Sequence, residues 1–269
     1  MAKLYIVGTP IGNLKDITLR ALETLKSVDI IACEDTRHSL GLLNHYEIKA
    51  RLVAYHKFNE KECGQYLIGE IEDGKNVAII TDAGMPAISD PGAVLVRMCR
   101  ERGVAVEVVP GPTAFASAVA MSGIESTGFT FLGFMPEKKK LKVALLSKYA
   151  KSEVPVIFYV APHDLKKTAS DIKEIFGDRK VYVVREITKL HECVTITTLG
   201  DFEAEERGEI VMIVEGVAPS NPLQDMTIEE HLLHYINEGM DKKEAVKKVS
   251  QERAIPKNEV YQIALGLEL

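Results

Sequence analysis

The stretch Val77-Ala78-Ile79-Ile80-Thr81-Asp82-Ala83-Gly84-Met85-Pro86-Ala87-Ile88-Ser89-Asp90-Pro91-Gly92 decides the fold. Its apolar opening, Val77 to Ile80, has the length and composition of a buried parallel strand. The run stops at Thr81-Asp82, Gly84, Pro86 and Pro91 shape the turn that follows, and Ala93 to Arg102 reads as a helix packed back onto the sheet. A polar turn at the carboxyl end of a parallel strand is where open α/β sheets bind small ligands. The turn is therefore read as one wall of a pocket.

The chain repeats this unit. Lys3 to Val7, Asp29 to Cys33, Leu52 to Tyr55 and Val104 to Val109 are further strands, followed by polar turns at 8–13, 34–38, 56–60 and 110–113. Helices are expected at Ile17 to Ser27, with Asp16 or Thr18 as cap, then at Leu40 to Tyr46, Cys63 to Asp73 and Ala114 to Ser122. Strands alternating with helices through right-handed crossovers give a parallel sheet with its polar turns along one edge. The first turn, Gly8-Thr9-Pro10-Ile11-Gly12-Asn13, is neither GxGxxG nor a P-loop, and packing alone also accounts for such a glycine turn.

Beyond Gly128 the chain becomes aromatic and strand-like, which places a boundary between residues 1–124 and 125–222. Glu137 to Lys151 carries six lysines against one glutamate, and is either the solvated face of a helix or an arm that contacts phosphates. Strands at Pro155 to Ala161, Lys180 to Val184, Thr195 to Leu199 and Gly208 to Glu215, with a helix at Leu165 to Phe176, complete a smaller mixed sheet. Ala218 to Pro222 is a linker. Residues 223–269 then hold three short helices that resemble a helix-turn-helix unit, with Thr227 and Glu230 spaced as a capping box. The expected class is α/β, with a helical extension.

Composition narrows the function. At 269 residues, 46% hydrophobic and 27% charged, the chain has the make-up of a globular protein of two domains and an appendage. No run approaches the roughly 18 apolar residues that span a bilayer, and the first residues enter a strand rather than a signal peptide, so a cytoplasmic, membrane-free protein is expected. A net charge of −6 argues against a nucleic-acid binder that uses its whole surface, but not against a local basic patch. The four cysteines and seven histidines show no metal-ligand spacing, so free thiols and no metal are expected.

Two polar stretches stand out. Glu34-Asp35-Thr36-Arg37-His38 is either a site edge carrying a base or substrate clamp, or a solvated loop with an Arg–carboxylate pair. Arg185-Glu186-Ile187-Thr188-Lys189-Leu190-His191-Glu192 is either an exposed segment with internal ion pairs or an edge that binds a polyanion or substrate.

Taken together, Gly8 to Asn13, Glu34 to Arg37, Thr81 to Pro86 with Ser89 to Gly92, Pro110 to Thr113 and Arg185 to Glu192 resemble the tetrapyrrole-methylase superfamily. Within it they resemble the branch of bacterial 16S ribosomal RNA ribose 2′-O-methyltransferases acting on cytidine. The resemblance implies two α/β domains with S-adenosyl-L-methionine in the cleft between them, a homodimer, and methylation of a decoding-centre cytidine of the small ribosomal subunit. It implies cofactor contacts from Gly8, Thr9, Pro10, Asp82, Ala83, Gly84, Met85, Ile88, Thr113 and Ala114, with Tyr159, Ile210 and Ile213 closing over them.

A ribose hydroxyl is a poor nucleophile, so a base is expected among Glu34 and Asp35, with His56 behind them. Arg37, His38, Lys138, Lys139, Lys140, Arg185, Glu186, Lys189 and His191 are the residues expected on the RNA side. Porphyrin-methylating relatives typically carry Gly-x-Gly-Pro-Gly-Asp and Gly-Asp-Pro where this chain has Gly-Thr-Pro-Ile-Gly-Asn and Asp82-Ala83-Gly84, a departure that favours the RNA branch. The alternatives are methylation of a tetrapyrrole or protein side chain, or a ribosome assembly factor without catalysis.

Overall fold

The computed structural model describes residues 2–217, 223 and 226–267. The chain divides into two compact units, Met1–Gly216 and Val217–Leu269.

The first unit holds two sheets. One is built from β1 (Lys3–Val7), β2 (Ile30–Cys33), β3 (Arg51–Ala54), β4 (Val77–Ile79) and β5 (Ala105–Val109), in the order β3-β2-β4-β1-β5. Every pairing is parallel, with Leu4 opposite Val77 and Ile30 opposite both Val77 and Arg51. Side chains alternate between the two faces, as the pleat requires. Leu4, Ile6, Ile30, Ala32, Val77 and Ile79 pack with α3 (Glu60–Glu72) and α4 (Ala93–Glu101). Val7, Ile31, Cys33, Ala78 and Ile80 pack with α1 (Leu19–Ser27) and α2 (Thr36–His45). Both faces are covered, which is why these strands read as unbroken apolar runs.

Caps set the helix starts. Thr18, not Asp16, caps α1 by accepting from the Ala21 N–H, while Asp16 lies in the short 3₁₀ turn Leu14–Asp16. Asp35 caps α2, so that helix begins at Thr36 rather than at the expected Leu40. The free-looking polar run 34–38 is therefore largely the first turn of a helix.

The second sheet also has five strands, β6 (Thr130–Phe134), β7 (Val156–Val160), β8 (Lys180–Arg185), β9 (Cys193–Thr198) and β10 (Ile210–Val214), ordered β6-β7-β10-β8-β9. β6 and β7 are parallel and the other pairs antiparallel, giving the mixed sheet expected. One face packs on α6 (Lys139–Tyr149) and α7 (Leu165–Phe176) through Leu146, Leu165, Ala169 and Ile172. The other face, through Ile157, Val184, Val211 and Ile213, receives Ala114, Phe115, Ala118 and Val119 of α5 (Ala114–Ser122). The small residues of α5 let it lie close against this sheet, and its first turn sits at the cavity described below.

Among the described residues, the second unit holds the helices α8 (Ile228–Asn237), α9 (Lys242–Glu252) and α10 (Lys257–Gly266), around Leu232, Tyr235, Val246, Val249 and Val260. The Thr227–Glu230 capping box is present in both directions. The expected linker at 218–222 lies outside the described residues. Among those residues no helix is long and apolar enough to cross a membrane, and the four cysteines are free thiols.

Candidate active-site cleft

A cavity of about 450 Å³ opens at the carboxyl ends of the parallel strands. The first sheet contributes Ile11, Glu34, Asp82 to Met85 and Ile88 to Asp90, and the start of α5 adds Thr113, Ala114 and Phe115. The second sheet contributes Phe134 from β6, Tyr159 to Pro162 from the end of β7, Ile187, and Gly208 to Val211 at the start of β10. Acids thus line one side, while the other is mainly apolar and aromatic.

Of the residues expected to hold the cofactor, Asp82, Ala83, Gly84, Met85, Ile88, Thr113, Ala114, Tyr159 and Ile210 line this cavity. Gly8, Thr9 and Pro10 are buried behind it. Thr9 pairs with Gly84 through backbone hydrogen bonds in both directions, and its hydroxyl donates to the Thr81 carbonyl at 3.1 Å. Gly8 and Thr9 thus back the 82–85 turn rather than forming the wall. Ile213 is fully buried in the packing against α5.

Sequence reasoning missed the wall residues Ser89, Asp90, Phe115, Phe134, Val160 to Pro162, Ile187, Gly208 and Glu209. Three of them carried a signal, since Ser89 and Asp90 lie inside the Ser89 to Gly92 motif and Ile187 inside Arg185 to Glu192.

Glu34, Asp82 and Asp90 share the cavity wall. Burial raises the Glu34 carboxyl above its ordinary value, the Asp82 and Asp90 charges raise it further, and His56 offsets part of this. Burial, then Asp82, likewise pushes Asp90 up. Asp35 is absent from the wall: its carboxylate accepts from the Arg37 backbone N–H at 2.8 Å and pairs with the Arg37 guanidinium at 3.3 Å, which hold it below the usual carboxylate range. His56 is half-buried, with an enclosed Nδ1 that has no hydrogen-bond partner among the described residues.

The residues expected on the RNA side separate into two groups. Arg37, His38, Lys138, Lys139, Lys140 and His191 are exposed, the lysines lying at the start of α6. Arg185, Glu186 and Lys189 are turned inward. Arg185 is buried, donates to the Arg207 carbonyl at 2.9 Å and pairs with Glu205. The Glu186 carboxylate accepts from the Glu209 N–H at 2.8 Å and from Lys189 Nζ at 3.0 Å, and Lys189 also reaches Glu209 at 3.1 Å.

Glu186 and Thr188 sit in the left-handed region at φ 51° and 66°, a conformation non-glycine residues adopt only when their surroundings impose it. The Thr188 hydroxyl donates to Asp16. The Lys189 chain lies so close over Gly12 that a Cβ there would be 2.6 Å from it. This stretch ties the two sheets' loops together and fixes Gly208 and Glu209 in the wall. Among the described residues, no group of three or more His, Cys, Asp or Glu is arranged to hold a metal.

With this geometry in place, likeness to known proteins is informative. The family model for tetrapyrrole (corrin/porphyrin) methylases matches residues 3–203. The chain is 42% identical over 270 residues to ribosomal RNA small subunit methyltransferase I of Halalkalibacterium halodurans, covering 97% of this chain and 93% of that one. It is 43% identical to the protein of the same name from Bacillus subtilis, again covering 97% and 93%. Among solved structures, a uroporphyrin-III C-methyltransferase from Thermus thermophilus complexed with S-adenyl homocysteine shares the fold, with a TM-score of 0.56 at 20% identity over 80% of this chain and 97% of that one.

Proposed function

The chain belongs to the tetrapyrrole (corrin/porphyrin) methylase family, and on that premise we propose that it transfers a methyl group from S-adenosyl-L-methionine to a ribose 2′-hydroxyl of 16S ribosomal RNA, at a decoding-centre cytidine. The carrying observation is the cavity itself: Glu34, Asp82 and Asp90 face an apolar wall of Phe134, Tyr159, Ile187 and Val211. A donor with a sulfonium and an ammonium group suits the acidic side, and a flat adenine suits the apolar one. Its volume falls in the range of roughly 300–1,000 Å³ typical of small-molecule sites.

Asp82 to Met85, Ile88, Thr113, Ala114, Tyr159 and Ile210 would hold the donor, which when bound supplies an electrophilic methyl on sulfur. The protein's task is then alignment in a water-poor cleft, which supplies much of the acceleration in a two-reactant step. Glu34 accepts the proton of the attacking hydroxyl, and its upward-shifted pKa brings it toward the operating pH, where a base is most effective. The exposed Lys138, Lys139, Lys140 and Arg37 take RNA phosphates, which need position rather than base identity. Arg185, Glu186 and Lys189 act by holding the wall. The working protein is read as a homodimer, which sedimentation equilibrium tests.

The deciding experiment supplies labelled S-adenosyl-L-methionine and small ribosomal subunits from cells that lack this protein, then maps the product by mass spectrometry. A methyl on a cytidine ribose is expected. Label in uroporphyrinogen and none in RNA would reject the RNA reading. No calorimetric binding of the donor would point to an assembly factor.

A further inference from the structure

Phe58 is 94% exposed, although it stands in a turn that is pinned on every side. The His56 N–H donates to Asn59 Oδ1 at 2.8 Å, Asn59 Nδ2 donates to the Ala54 carbonyl at 2.9 Å, and the Asn59 N–H donates to the His56 carbonyl at 2.9 Å. The residue before the turn, Tyr55, is buried and its N–H donates to the Cys33 carbonyl at 2.8 Å. The one after it, Glu60, accepts from the Gly92 N–H at 3.2 Å. The backbone that carries the aromatic ring is therefore fixed, and the ring is held out in solvent.

Its position matters. The Phe58 ring meets the His56 ring at 6.1 Å, edge to face. The Tyr55–Cys33 hydrogen bond sets the residue before His56 against the residue before Glu34, and Glu34 lines the cavity. Phe58 thus marks the approach to the proposed base. Its neighbours in the turn are polar: Lys57 is exposed, and Asn59 is occupied with the backbone. A protein-docking surface would present several contiguous apolar side chains. A lone flat ring beside a cation is instead what unpaired RNA uses, with a base stacked on the ring and the phosphate on the cation.

We propose that Phe58 is a stacking platform for an unpaired nucleobase of the RNA substrate, with Lys57 taking the adjoining phosphate. This rests on the RNA methyltransferase reading above and names the feature that seats the strand beside the site.

The chain has no tryptophan, so Phe58→Trp installs a single fluorophore at the platform of the full-length protein. Titration with single-stranded oligocytidylate, and separately with small subunits, is expected to quench its emission. Phe58→Ala and Phe58→Leu are expected to raise KM for small subunits roughly tenfold, within the cost of losing one stacked base. They should leave turnover within about twofold and donor affinity unchanged, while Phe58→Trp keeps the wild-type KM. A leucine variant as good as phenylalanine would mean an apolar partner such as a protein, and would overturn the proposal. So would a wild-type KM in Phe58→Ala, or unquenched tryptophan. Wild-type protein unable to methylate small subunits would refute the reading instead, and the oligocytidylate titration, which needs no methyl transfer, would still decide stacking.

Discussion

Gly8 and Gly111 meet directly beyond the ends of β1 and β5: a Cβ on Gly8 would lie 2.7 Å from Gly111 Cα, and one on Gly111 2.9 Å from Gly8 Cα. The neighbour on each side is backbone, which cannot swing away. A Cβ on Gly8 would also meet Met85 Sδ at 2.7 Å, so the contact extends to the cavity wall. Gly111→Ala is therefore expected to cost about 1–3 kcal/mol, the usual range for overpacking. It should also weaken donor binding by shifting the 82–85 turn. Thermal unfolding and calorimetry of the variant check both, and an unchanged melting temperature would refute the packing argument.

Glu34→Gln keeps the shape of the side chain and removes the base. Turnover should fall about 10²- to 10⁴-fold, the contribution typical of a positioned base, with donor affinity retained. The pH profile gives a second check. The base works ionised, so the rate rises with pH through the Glu34 titration, and burial with Asp82 and Asp90 places that limb above the ordinary carboxylate range. Asp82→Asn removes one repelling charge and should move the limb to lower pH. Initial rates across pH decide it, and a limb that stays put would rule out Glu34.

The first sheet was legible because its strands are covered on both faces: Val77 to Ile80 and Ile30 to Cys33 read as apolar runs closed by polar turns, and those turns do form one rim. The far wall was not. Phe134 and Val160 look in sequence like any core residue, and only the packing of α5 on the second sheet decides which strand ends face the cavity. The charges of Arg185 to Glu192 were ambiguous for a related reason. Internal ion pairs and an anion-binding edge use the same residue types, and the partners Glu205 and Glu209 lie far along the chain. Asp35 misled locally, because a cap and a base are both carboxylates beside a strand end.

Asp90 offers a test of the acidic wall. Its pKa is raised in the fold by burial and then by Asp82, so the folded state holds its proton more readily than the unfolded chain does. The stability it contributes is present at low pH, and is lost as pH climbs from about 3.9, its unfolded value, through the raised folded value. Asp90→Asn should therefore melt higher than wild type at pH 7, with the gain gone near pH 4. The same change removes a negative charge facing the donor. Affinity for S-adenosyl-L-methionine should fall several-fold, and that for uncharged-sulfur S-adenosylhomocysteine less. Equal losses for the two ligands would count against charge selection in the cavity.

The helical unit carries its own titration. His231 is fully buried, with Nδ1 accepting from Arg253 Nε at 2.9 Å and Nε2 set 3.0 Å from Glu252. A guanidinium only donates, so Nδ1 must be bare and the single ring proton must sit on Nε2, donating to Glu252. Tyr235 donates to the same carboxylate at 2.8 Å. Burial, then Arg253, depresses the His231 pKa below 6.5, and Glu252 offsets this only in part. A depressed histidine contributes stability that is present above its unfolded pKa of about 6.5 and is lost as pH falls through the folded value. Unfolding of the full-length chain, followed by calorimetry, should show the helical unit melting progressively earlier from pH 7 to pH 5. His231→Gln, which cannot take up a proton, should flatten that dependence. It should cost about 1–3 kcal/mol at pH 7 by leaving a buried partner imperfectly paired. A variant whose melting still falls with acid as steeply as wild type would place the titrating group elsewhere.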